Sequence, residues 1–216
     1  MVKALVVDFD GVIVRKSEFF KQEAWTIVFS AYGDSYLPHL KKAEEKFGGG
    51  RGGDRFDILR ETYRSLGEPE EKLSRLVEKG AQIFDEYVQK KISEAGADSE
   101  VVQELEKISK RVPIYVNSAT PVDALKRTIL NLGISRLFRG VLGRPNSKIE
   151  NFRSAAAAEK CSPGEILFIG DSDSDAKVAA EFGCKFIGYA NEWNRWMGTD
   201  KSFPVIISFA ELEKHL

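Results

Sequence analysis

Hydrophobic positions along the chain follow two different patterns. Residues 4–7 (Ala-Leu-Val-Val) are continuously apolar and run into Asp8-Phe9-Asp10-Gly11. A short apolar run closed by acidic residues and a glycine reads as a strand covered on both faces, the kind that builds parallel sheets. Residues 113–117, 140–142, 165–170 and 185–189 repeat that pattern, and 205–207 adds a last short run. Helical spacing fills the gaps. Thr120-Pro121-Val122-Asp123 predicts a helix start with Thr as N-cap, Pro at the first helical position and Asp in the first turn, and Leu132-Gly133 predicts its stop. Further helices are expected over 146–160, over 173–182 just before Gly183, and over 210–216. Strands alternating with helices imply βαβ units, hence an α/β fold with a Rossmann-like, doubly wound parallel sheet.

Residues 16–95 break this alternation, because they hold no convincing strand. Phe20, Ala24, Ile27, Val28 and Ala31 recur at helical spacing, as do Leu73, Leu76, Val77, Gly80, Ala81, Phe84, Tyr87 and Val88. Four helices fit, roughly over 17–32, 35–47, 54–66 and 69–94. An all-α helical cap domain over 16–95 is therefore expected, inserted into a core made of 1–15 and 96–216.

Composition narrows the function classes. With 216 residues, 43% apolar and 30% charged, the chain can bury a substantial core. Its 32 basic and 33 acidic side chains nearly cancel, so no overall charge drives it towards nucleic acid or an anionic membrane. No segment approaches the ~18 apolar residues of a membrane span, and the first apolar run is too short for a signal-peptide core. A cytoplasmic protein, monomer or homodimer, is expected. Cys161 and Cys184 have neither the number nor the spacing of a disulfide framework or zinc site, and read as reduced packing residues.

Four constellations carry chemistry. Asp8 and Asp10 sit two apart at the end of the first strand, so both carboxylates can face one site. Such a pair repels unless a cation lies between the two or one stays protonated. Gly170-Asp171-Ser172-Asp173-Ser174-Asp175 follows the fourth strand. Were the helix to begin there, Asp171 and Asp175 would share a face, and an acidic cluster at a strand end suits a hard cation such as Mg2+. The run mimics an EF-hand loop, but Ala176 and Phe182 stand where that loop needs Gly and Glu. Ser118, with the free N–H of Ala119, lies just ahead of a helix N-terminus, a ready anion site. Lys148 opens a helix, where a cation opposes the dipole unless an anion is near.

In this order, and with the helical insertion after the first strand, the four motifs resemble the haloacid dehalogenase (HAD) superfamily, in detail its phosphoglycolate phosphatase and β-phosphoglucomutase branch. The resemblance implies a phosphatase for a small phosphorylated metabolite, with Asp8 as nucleophile and Asp10 as general acid and base. Ser118, Ala119 N–H and Lys148 would then hold the phosphoryl oxygens. Mg2+ would be bound by Asp8, the Asp10 carbonyl and Asp171, with Asp175 orienting the site. Members that displace halide from carbon lack the second Asp, so Asp10 disfavours dehalogenation. Phosphoryl return to a sugar, as in a phosphomutase, is the alternative. A phospho-accepting receiver domain fits less well, because its acidic pair and its acceptor occupy different strands. Gly48-Gly49-Gly50-Arg51-Gly52-Gly53 formally contains a dinucleotide motif, but it follows a helical segment and reads as an inter-helix loop. Arg51 and Arg55 are candidate contacts for an anionic leaving group. Trp193, Trp196 and Met197 are read as packing residues.

Overall fold

The computed structural model describes residues 1–47 and 55–216. The chain divides into two compact units, one of Met1–Glu18 with Ile92–Leu216 and one of Phe19–Lys91.

The first unit is built on six parallel strands: β1 (Ala4–Val7), β2 (Ile114–Pro121), β3 (Gly140–Arg144), β4 (Ile166–Gly170), β5 (Lys185–Tyr189) and β6 (Val205–Ile206). Their order across the sheet is β3-β2-β1-β4-β5-β6. The chain thus winds outward from β1 in one direction and then from β4 in the other. Between two such strands the following loops splay apart and leave a crevice at the carboxyl ends. Every residue of β1 and of β4 is buried, as continuous apolar runs between helical layers require. Phe152 and Phe182 stack 5.1 Å apart, and Phe152 meets Phe168 edge-on at 4.9 Å. These rings fasten α7 (Lys148–Glu159) and α8 (Asp173–Phe182) to the sheet.

Three local features differ from the sequence reading. Thr120 does not cap the helix after β2. The β2–β3 ladder continues to Pro121 opposite Arg144, and Pro121 is itself extended at φ −53, ψ 132. The helix (α6, Val122–Asn131) therefore starts two residues beyond Thr120, with Pro121 as its flanking residue. A helix not anticipated from sequence, α5 (Ser99–Ile108), follows Asp98, whose carboxylate accepts from the N–H groups of Glu100 and Val101. Its buried Val101, Leu105 and Ile108 have the expected spacing, so both cap and stripe were present in the sequence. The closing segment Phe209–His215 is a 3₁₀ turn run rather than an α-helix.

Among its described residues the second unit has only helices and turns, with the bulk of α1 (Ser17–Val28), then a 3₁₀ stretch over Ser30–Tyr36, α2 (Leu37–Phe47), α3 (Arg55–Ser65) and most of α4 (Glu70–Ala95). Ala24, Trp25, Val28 and Phe29 form the buried stripe of the first helical stretch, while Ile27 is exposed. Phe29 stacks on Tyr36 at 5.1 Å and Trp25 lies 4.4 Å from Phe84. Gly80 on α4 is a close-approach point, since a Cβ there would sit 3.0 Å from Leu59. Among the described residues no helix is long and apolar enough to cross a membrane.

Candidate active site

The crevice at the β1/β4 switch point is lined by buried carboxylates. Asp8 extends β1 by one residue, its N–H donating to Ile169 O at 2.8 Å. Asp171 follows β4, and Asp175 lies in the first turn of α8. One oxygen from each of these three buried residues lies within 4.8 Å of the others. A shared helix face does not bring Asp171 and Asp175 together. Ser172 is the N-cap, so Asp171 precedes the helix, and the cap turn produces the convergence. That turn is a reciprocal box: Ser172 Oγ accepts from Asp175 N, and Asp175 Oδ2 accepts from Ser172 N and Ser172 Oγ. Asp175 Oδ1 is thereby left to face Lys148.

The position of Lys148 at a helix start is accounted for by its partners. Its Nζ lies 2.6 Å from Asp175 Oδ1 and 2.9 Å from Asp8 Oδ2. Burial opposes its charge, but Asp175 and Asp8 outweigh that and raise its pKa further. Two buried asparagines hold the backbone beneath it. Asn117 donates to Lys148 O at 2.9 Å and accepts from Asn151 at 3.0 Å.

Asp10 and Ser118 are both buried. Ser118 Oγ accepts from Thr120 N at 3.1 Å, and Thr120 Oγ1 lies 3.4 Å from Asp10 Oδ2. Asp10 is not one of the three clustered carboxylates. Gly11 after it turns at φ +70, and a Cβ there would lie 1.9 Å from Asp171 Oδ2. Only glycine permits both the turn and that approach. Arg51 lies outside the described residues. Arg55 belongs to the helical unit, where it pairs with Asp85 and lies 5.4 Å from the centre of the Phe84 ring.

The electrostatics describe a site short of positive charge. Burial pushes Asp8 well above the usual carboxylate range, against the pull of Lys148 and reinforced by Asp175, Asp171 and Asp10. Burial likewise lifts Asp171 to about 7, opposed by a hydrogen bond from Asn191. Three buried carboxylates cluster where one ammonium pairs with two of them, and their oxygens are the hard donors that Mg2+ takes. The residues present therefore fit a divalent cation.

Asn191 and Asn194, which sequence reasoning missed, complete the arrangement. Asn191 donates to Asp171 Oδ2, and Asn194 donates to Asp171 O.

Known proteins resemble this chain at the level of family and fold. A family model described as haloacid dehalogenase-like hydrolase matches residues 2–183. A search of the curated proteins finds no match. Among solved structures, a predicted phosphoglycolate phosphatase from Haemophilus somnus superposes with TM-score 0.71 at 17% identity, over 99% of this chain and 97% of that one. A β-phosphoglucomutase from Clostridium difficile gives 0.70 at 20% identity, over 99% and 96%. A haloacid dehalogenase-like hydrolase from Streptococcus pneumoniae gives 0.69 at 20%, over 100% and 99%. At these identities the likeness is one of fold.

Proposed function

The chain belongs to the haloacid dehalogenase-like hydrolase family, and from that premise we propose that it is a Mg2+-dependent phosphatase acting on a small phosphorylated metabolite through a phospho-Asp8 intermediate. The observation that carries this reading is the convergence of Asp8, Asp171 and Asp175 at the tips of the central strands, with Lys148 paired to Asp8 and Asp175.

In this mechanism an Asp8 carboxylate oxygen attacks phosphorus in line as the bond to the leaving oxygen breaks. Asp10 gives that oxygen its proton, so the product leaves as an alcohol. Asp10 then takes a proton from water, whose oxygen attacks phosphorus and breaks the Asp8 O–P bond, releasing inorganic phosphate. One hard displacement becomes two easier ones, and acid–base help of this kind contributes ~10²–10⁴-fold. Ser118 Oγ already accepts from Thr120 N, which leaves its proton to donate to a phosphoryl oxygen beside Ala119 N–H. Lys148 supplies positive charge to the same oxygens. Asp8, the Asp10 carbonyl and Asp171 would hold Mg2+, with Asp175 orienting Lys148. When bound, the ion supplies charge neutralisation to the phosphoryl group.

In this reading the helical unit is the cap domain, whose role would be to exclude water and bulky substrates during turnover. Arg55 already has a carboxylate partner in Asp85, so a part in substrate binding requires exchanging that partner.

The test is a Mg2+-supplemented screen of phosphorylated metabolites for inorganic phosphate release, run beside Asp8→Asn. Release by the wild type, reversible loss with a chelator and no release by the variant are expected. Isomer formation from a sugar phosphate without phosphate release would instead identify a phosphomutase. Undiminished hydrolysis by Asp8→Asn would refute the nucleophile.

A further inference from the structure

The loop after β5 is built to a tighter specification than a connection between short strands requires. Asn191 is 6% exposed, and its amide uses its full hydrogen-bonding capacity. Oδ1 accepts from Trp193 N and Asn194 N, both at 2.9 Å. Nδ2 donates to Gly11 O and to Asp171 Oδ2, both at 2.8 Å. Turning the amide over would set its oxygen against two other oxygens, so only one orientation is satisfied.

Asn194 does a different job. Its Oδ1 accepts from Asn191 N and Trp196 N, and its Nδ2 donates to the carbonyls of Asp171 and Tyr189. It clasps the loop to backbone and never touches a carboxylate. Trp196 anchors the far side. It is buried against Phe203 at 5.3 Å, under Lys201, and over Gly188, where a Cβ would lie 2.8 Å from the indole.

Capping this loop needs only the carbonyl of Asn191. The two donors go elsewhere, one to the turn after β1 and one to the carboxylate after β4. These are the two strand tips whose acids must converge. A carboxylate in a short loop can rotate about its last bond. A donor fixed at 2.8 Å from Oδ2 restrains that rotation, and one oxygen of the same carboxylate lies within 4.8 Å of an oxygen of Asp8 and one of Asp175.

We propose that Asn191 is a positioning residue for the cation site: it orients the Asp171 carboxylate for Mg2+ and ties it to the Gly11 turn. This rests on the Mg2+ reading above and adds a residue outside the four motifs that carry it.

The experiment measures Mg2+ binding to the full chain by titration calorimetry, with thermal melting in chelator and the Mg2+ concentration giving half-maximal phosphate release. Asn191→Ser is the main variant, because a hydroxyl can still accept from N–H groups two and three residues on but is too short to reach Asp171. Asn191→Ala is carried in parallel, and either folded variant decides. Outer partners of metal ligands typically contribute ~10–100-fold in affinity, so Asn191→Ser is expected to bind Mg2+ about that much more weakly. Loss of two buried donors should lower its melting temperature, and saturating Mg2+ should restore kcat. Asn194→Ala, the loop control, should melt lower with a much smaller loss of affinity. Wild-type affinity in Asn191→Ser overturns the proposal. So do equal losses of affinity in the Asn191 and Asn194 variants, which would make the role loop folding. A wild type that binds no Mg2+ overturns the functional reading as well; one that binds while Asn191→Ser matches it overturns this inference alone.

Discussion

Replacing Asp171 with Asn should make the metal-free protein more stable while abolishing its response to Mg2+. Burial lifts this carboxylate from an ordinary 3.8 to about 7. Each pH unit is worth 1.36 kcal/mol, so keeping the group ionised in the folded state costs on the order of 4 kcal/mol. The folded state holds this proton more tightly than the unfolded chain does. Between about pH 4 and 7 it therefore binds more protons, and stability falls as pH rises through that window, then levels off. Asp171→Asn removes the cost, and its side-chain oxygen can still accept from Asn191. In chelator at pH 8 the variant should gain up to about 4 kcal/mol over wild type, the gap closing towards pH 4. Mg2+ at 100 times its Kd should stabilise wild type by about 2.7 kcal/mol and leave the variant unmoved. Urea unfolding at pH 5, 6, 7 and 8, with chelator and with Mg2+, reads both effects. A variant no more stable at pH 8, a gap that does not shrink in acid, or equal stabilisation by Mg2+ would refute the reasoning.

The opposite sign is expected for Lys148→Ala. Removing the ammonium leaves Asp8 and Asp175 buried without their partner, a loss of about 3–5 kcal/mol in chelator near neutral pH, smaller in acid where the carboxylates take up protons. Turnover with saturating Mg2+ should fall ~10²–10³-fold, the usual cost of a lost charge-stabilising donor; unchanged kinetics would mean the lysine does not touch the reacting group. At Gly11→Ala the new Cβ meets Asp171 Oδ2 in a left-handed turn. Overpacking and backbone strain together cost on the order of 2–5 kcal/mol, and Mg2+ affinity should drop with stability. Urea unfolding and calorimetry measure both, and wild-type values would show that the turn relaxes more easily than its packing implies.

Much of this protein could be read from local pattern. A strand buried on both faces must be apolar at every position, which marks β1 and β4. A Ser N-cap and a Gly stop bound α8, whose Gly183 adopts φ +85. Even the misfit of Lys148 at a helix start pointed to a nearby anion as its explanation. These signals work because capping and periodicity act over a few residues. The α5 helix obeys the same rules, through the Asp98 cap and the buried spacing of Val101 and Leu105.

What local pattern by itself did not announce was which distant groups meet; only the motif resemblance aimed Asp8 and Asp171 at one place. The strand order puts β1 beside β4, so Asp8 and Asp171 converge across a separation that no periodicity spans. Asn191 reads in sequence as one polar residue in a polar loop, yet its donors reach Gly11, 180 positions away, and Asp171, 20 positions away. The direction of a side-chain amide depends on the backbone that brings its partners within 3 Å. The chain's local chemistry set the elements and supplied the acids; only the folded sheet decided which of them converge and what holds them still.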